Sequence, residues 1–238
     1  MPTLPELLEQ LQFITPQAAL LGLFITATVI LLGRDWRSLI LALLIQYILV
    51  GLILARLVRP DIATLKVMIG AFICPILFLS ARQVAFVPAS SAWHRAATGS
   101  AQQWWQTLPQ LLPTFIKGAD RRRKPAATGF VFRVFVALIM MLTAILVSRS
   151  VLLPGLPPSV NTAVFWLILA GLTTLILTED PIKAGHGLFT ALTGFDIFYA
   201  VVEGSLLLTG LWGVINLLIA LAVGYLAVVR DTGPGEEW

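Results

Sequence analysis

At 238 residues, 58% of them hydrophobic and only 12% charged, with a mean hydropathy of +0.91, the chain is too apolar for a water-soluble domain, in which about a quarter of residues are charged. Its apolar runs are continuous and lack the two-residue alternation of a membrane barrel, so the expected fold is all-α, a polytopic membrane bundle. The formal charge of +4 is not a nucleic-acid signal, because the basic residues fall in the connections and mostly on one side; the lone Cys74 excludes an intrachain disulfide and a Cys-x-x-Cys metal site.

Met1-Pro-Thr-Leu-Pro-Glu6-Leu-Leu-Glu9 is acidic where a secretory signal is basic, and no small-residue cleavage site follows, so the first apolar run is expected to be retained. That run predicts a span over about 16–32, and Gly33-Arg34-Asp35-Trp36-Arg37 turns into a second over about 38–55, with Trp36 an interface anchor. Arg56-Leu-Val-Arg59-Pro60-Asp61 closes the hairpin, Asp61 caps a third span, and that span carries Lys66 and Pro75 and reaches about Ser80. From about 81 to 128 the pattern reads as one long loop interrupted by Pro88, Pro109 and Pro113; within it the piece 102–115 is too short to span and is expected to lie along the headgroups by Trp104 and Trp105.

Beyond the basic run Arg121-Arg-Arg-Lys124, a fourth span covers about 129–147 and, after Leu153-Pro-Gly-Leu-Pro-Pro158, a fifth covers about 162–178. Glu179-Asp180-Pro181 opens a sixth running to about Leu208, Thr209-Gly-Leu-Trp212-Gly213 is read as a connection, and a seventh occupies about 214–229. The expected organisation is thus a three-helix part (1–80), a Trp- and Arg-rich cytoplasmic or interfacial loop (81–128) and a four-helix part (129–238). With Arg121–Lys124 in the cytoplasm, the positive-inside rule puts Arg34, Arg37, Lys183 and Arg230 inside and the N-terminus outside; Arg56 and Arg59 oppose this arrangement.

The sixth span is where chemistry is expected. Asp196 lies near its middle and Glu203 seven positions on, about 10 Å along a helix and on nearly the same face, with Tyr199 between them. A charge at bilayer depth costs about 3 kcal/mol even on insertion scales, so such residues face a bundle interior or a water path. Asp196 is either a proton-binding site or a static acid tying helices together. Glu203 has the same two readings and a third, a surface turn formed by Glu203-Gly204-Ser205. Lys66 is expected to snorkel to the headgroups, the alternative being a pair with an intramembrane acid. His186, between Gly185 and Gly187, is expected at the solvated interface, where a titratable imidazole could also pass protons inward. Gln46 and Asn216 are read as interhelical hydrogen-bonding amides or as the lining of a hydrated path, and the glycines at 185, 187 and 194 as close-packing positions. No nucleophile with a base, Cys/His cluster or phosphate loop is present, which disfavours a soluble-type enzyme.

Leu192-Thr-Gly194-Phe-Asp196-Ile-Phe-Tyr-Ala-Val201 resembles the second helix of the small K subunit of bacterial NADH:quinone oxidoreductase, where a Gly-x-Glu-Leu pattern places an essential acid mid-membrane. The resemblance covers about 170–229 and extends to the C subunit of Mrp-type cation/proton antiporters and the E membrane component of group-4 hydrogenases. Asp196 stands where that family has its first glutamate, whereas Glu203 is on the same helix and the family's second acid is on the next. The resemblance implies a subunit without cofactor or metal in the bacterial plasma membrane. It would work beside larger antiporter-like or respiratory partners, with Asp196, Glu203, Lys66, Tyr199 and His186 as the proton or cation relay. The other readings are a scaffold whose acids pair with a partner's basic groups, and a stand-alone carrier of a small cation. Spans one to three are also read as a degenerate copy of spans five to seven, Gln46 following Arg34-Asp-Trp-Arg37 as Asp196 follows Glu179-Asp-Pro-Ile-Lys183.

Overall fold

The computed structural model describes residues 16–33, 35–97 and 129–232. Among the described residues there are seven helices and no strand: α1 (Pro16–Leu32), α2 (Trp36–Leu57), α3 (Pro60–Ala97), α4 (Phe130–Ser150), α5 (Pro158–Ile176), α6 (Pro181–Val202) and α7 (Leu206–Thr232). The chain is an integral membrane protein of the helical type. Six of the helices are long and apolar enough to cross a membrane, while α1 carries a shorter apolar stretch, Gln17–Leu32. Large apolar side chains such as Leu138, Ile176 and Leu207 are exposed on the outside of the bundle, as expected where the surrounding medium is hydrocarbon.

Local signals set the helix starts. Pro158 and Pro181 stand at first-turn positions, where no backbone donor is lost, and the Asp180 carboxylate accepts from Ile182 N at 3.0 Å. The Pro-rich turn between α4 and α5 is tied down by Asn161, whose amide donates to Ser148 O (3.0 Å) and Val151 O (2.8 Å).

Two boundaries differ from the sequence reading. Helix α3 continues to Ala97, although only Pro60–Gln83 is apolar enough to cross, so 81–97 is helical and not loop. The basic run at 121–124 and Trp104 and Trp105 lie outside the described residues. Helix α6 stops at Val202, where Glu203 turns to extended backbone (φ −111°, ψ 95°) and its N–H donates to Tyr199 O. Helix α7 then begins at Leu206, with Ser205 O accepting from both Thr209 N (3.1 Å) and Thr209 Oγ1 (3.0 Å). The stretch 209–213 is therefore helical, which brings Trp212 onto a helix face.

The helices form two rows, α1-α2-α3 and α5-α6-α7, with each helix packed on its counterpart and α4 flanking α5. Counterparts run parallel. Phe24 of α1 stacks on Trp166 of α5 at 6.2 Å, and in α3/α7 Ile69 meets Gly213 while Ser80 meets Gly224. This arrangement makes two four-helix rings that share α2 and α6. The ring α1/α2/α5/α6 is filled with apolar side chains such as Leu23, Val164 and Leu167. The ring α2/α3/α6/α7 buries Gln46, Lys66, His186, Thr193, Asp196 and Asn216.

The rows resemble a repeat in connectivity, but Gln46 is not at the depth of Asp196. It is the eleventh residue of α2, while Asp196 is the sixteenth of α6, and the two helices are in register at Tyr47 and Thr193.

The tightest seam is α5/α6. A methyl placed on Gly171 would overlap Ala191 N and Gly187 O, one on Gly187 would sit 2.8 Å from Gly171 O, and one on Gly194 would sit 2.9 Å from Val164 O. Gly187 and Gly194 thus serve as the close-packing positions expected of them, and Gly185 does the same against Val223 of α7.

Candidate functional site

Asp196 projects from α6 into the polar ring. Lys66 and Trp212, each the seventh residue of its helix, approach it from the parallel pair α3 and α7. The Lys66 ammonium pairs with Asp196 Oδ2, and the Trp212 indole N–H donates to Asp196 Oδ1. Lys66 and Asp196 are each 2% exposed, so Lys66 does not snorkel to the headgroups as expected but closes an ion pair inside the bundle. The pair lies across the ring, since α3 and α6 touch far less than either touches its neighbours. Trp212 is held in place by the rings of Phe195 (5.5 Å) and Tyr199 (6.1 Å), which makes Tyr199 a support for the indole donor.

No protein-family model, curated protein or solved structure matches this chain.

Glu203 is not brought to the pair. It is half-buried at the C-terminal end of α6, in the turn anticipated as its third reading, and does not share the helix face of Asp196. His186 is also placed differently from expectation, being fully buried instead of solvated. Its Nδ1 lies 2.7 Å from Ile182 O, and because a carbonyl only accepts, Nδ1 carries the hydrogen, so that in the neutral ring Nε2 presents a lone pair. Among the described residues Nε2 has no hydrogen-bond partner.

Four buried polar side chains follow one stripe of α6: His186, Thr190, Thr193 and Asp196, at spacings of three and four residues. The stripe begins with Lys183, which does more than mark the orientation of the helix. Its ammonium donates to Gly33 O (2.6 Å) and Leu31 O (3.3 Å) at the end of α1, where free carbonyls and the helix dipole favour a cation. Lys183→Met is expected to lower the stability of the purified protein by about 1.5–3 kcal/mol, with partial recovery in Lys183→Arg, as read by thermal unfolding in detergent.

Gln46 and Asn216 are fully buried, and among the described residues neither amide finds a hydrogen-bond partner, in contrast to the bonded Asn161. Among the described residues no cluster of three or more His, Cys, Asp or Glu side chains assembles a metal site.

Chemically, the site is a buried acid whose charge is held by one ammonium and one neutral donor inside the polar ring. A proton or small cation reaching Asp196 competes directly with Lys66 for the carboxylate. Addition of a proton cancels the attraction that bridges α3 to α6, and its departure restores it.

Proposed function

We propose that the chain is a non-redox membrane subunit of a proton- or cation-translocating complex, with Asp196 as the relay acid and Lys66 as its exchangeable countercharge. The observation that carries this reading is the fully buried Lys66–Asp196 pair across the polar ring. A buried ion pair is a poor stabiliser compared with apolar packing, so its presence at membrane depth favours a working role. The pair also counts against a pure scaffold, because Asp196 is neutralised by the chain's own lysine and is not offered to a partner's basic group. The resemblance to the small subunits of respiratory and antiporter complexes points the same way.

In this reading all seven helices cross the plasma membrane, and the end bearing Lys183 and Trp36 faces the cytoplasm with the basic segment at 121–124. His186 is the next titratable group on α6 toward that face, ten residues or about 15 Å from Asp196. Helix α4 and the outer face of α7 are apolar and exposed, and they are the surfaces available to lipid or to neighbouring subunits.

The test is pH- or sodium-driven ion flux in membrane vesicles carrying the whole complex, with assembly checked by native gel. Asp196→Asn is expected to cut flux by about a hundredfold or more with assembly intact. Normal flux in that variant contradicts the proposal.

A further inference from the structure

The polar ring contains more unsatisfied hydrogen-bonding capacity than the ion pair uses. Gln46 Oε1 and Nε2 and Asn216 Oδ1 and Nδ2 are buried without a hydrogen-bond partner among the described residues, and the buried Tyr47 hydroxyl lies beside Thr193. They lie at one depth. Tyr47 packs on Gly70 of α3 and faces Thr193 of α6, with Gln46 beside it on α2. On α7, Gly213 meets Ile69 and Val223 meets Gly185, which places Asn216 level with Leu192, the neighbour of Thr193. Thr193 precedes Asp196 by three residues, about 4.5 Å of rise toward the Lys183 end. Tyr47 is within electrostatic reach of the Asp196 carboxylate.

The chemistry of these groups selects an occupant. Two carboxamides and a phenol present N–H and O–H donors as well as carbonyl acceptors. A dehydrated alkali cation engages oxygen lone pairs only, leaving both amide NH₂ groups buried and unpaired at about 1–3 kcal/mol each. Water donates and accepts, and it satisfies both sides of each amide. We infer that Gln46, Tyr47, Asn216 and Thr193 form a hydrated chamber one helical turn from Asp196, and that the species relayed there is a proton and not a dehydrated metal cation. The inference rests on the relay reading of Asp196 and names its cargo. The chamber supplies the hydrogen-bonded chain along which a proton moves between Asp196 and the Lys183 end, with the His186 Nε2 lone pair as the next acceptor on α6.

Two measurements on the full chain in vesicles test it. Hydroxyl-radical footprinting reads the chamber independently of transport. Tyr47 is expected to be modified at least about tenfold faster in the wild type than in Gln46→Leu/Asn216→Leu, where apolar side chains replace the amides that hold the water. Equal protection of Tyr47 in the two proteins overturns the chamber.

The second measurement is flux in Gln46→Leu/Asn216→Leu. This variant keeps the Lys66–Asp196 pair and, having lost unpaired buried amides, is expected to fold at least as stably as wild type. Its pH-driven flux is expected to fall by about tenfold or more, whatever alkali cation is present. Unchanged flux in this variant, or wild-type flux that requires and saturates with sodium, overturns the proton as cargo while leaving the relay role of Asp196 standing. Flux indifferent to Asp196→Asn sinks the relay reading itself and the cargo with it, while the footprint still judges the chamber.

Discussion

Lys66→Met alone and Asp196→Asn alone are each expected to destabilise the protein by about 3–5 kcal/mol, whereas the double variant Lys66→Met/Asp196→Asn is expected to return to within about 1 kcal/mol of wild type. Both side chains are 2% exposed, so removal of either leaves an uncompensated charge buried inside the bundle. Removal of both trades an ion pair for a neutral amide that still meets the Trp212 indole. The non-additivity is the signature of the pair, and a double-mutant cycle on thermal unfolding in detergent measures it. Single variants no less stable than the double would mean that the charges are not coupled, and the site as described would be wrong.

Gly171→Leu is expected to abolish the folded, monodisperse protein. At this position the obstacle is backbone, with Ala191 Cα 2.8 Å from a built Cβ and Ala191 N and Gly187 O nearer still. Helices α5 and α6 would have to separate, and α6 carries both Asp196 and Lys183. The cost exceeds the 1–3 kcal/mol typical of side-chain overpacking, because no rotamer change relieves it. Gly210→Ala is the contrasting control: its Cβ meets nothing nearer than Leu65 Cδ2 at 3.9 Å, so it is expected to be silent. Size-exclusion profiles of the two variants separate the cases. A monodisperse Gly171→Leu protein with native stability would contradict the α5/α6 seam.

The helices were legible from the sequence because apolar runs of membrane length, Pro at first-turn positions and an N-capping Asp180 are local signals. Asp196 was legible too, as an acid in the middle of such a run, and so were the glycines of the α6 seam at 187 and 194. Gly171, on the other side of that seam, carries the same small-residue signal and was passed over.

The partner of Asp196 was hidden. Lys66 is separated from it in the chain by two whole helices, α4 and α5, and whether a lysine one to two turns inside a span snorkels or pairs depends on what its helix packs against. The burial of His186 is hidden for the same reason, being set by the packing of neighbouring helices and not by its distance from the end of α6. The break at Glu203 was masked by Leu206-Leu-Leu208, which is as apolar as the helix before it. That error put Trp212, the second donor to Asp196, in a connection instead of on a helix. Helix α3 outlasted its apolar stretch because helix formation does not stop where hydrophobicity does.

Whether the buried pair serves transport or only structure is decided most directly by flux through the double variant Lys66→Met/Asp196→Asn, measured on protein shown to have wild-type unfolding and assembly. The relay account predicts a stable, assembled protein with pH-driven flux reduced by about a hundredfold or more. A stable double variant that conducts at the wild-type rate would show that the membrane charge is dispensable for movement of the ion, and would contradict the account.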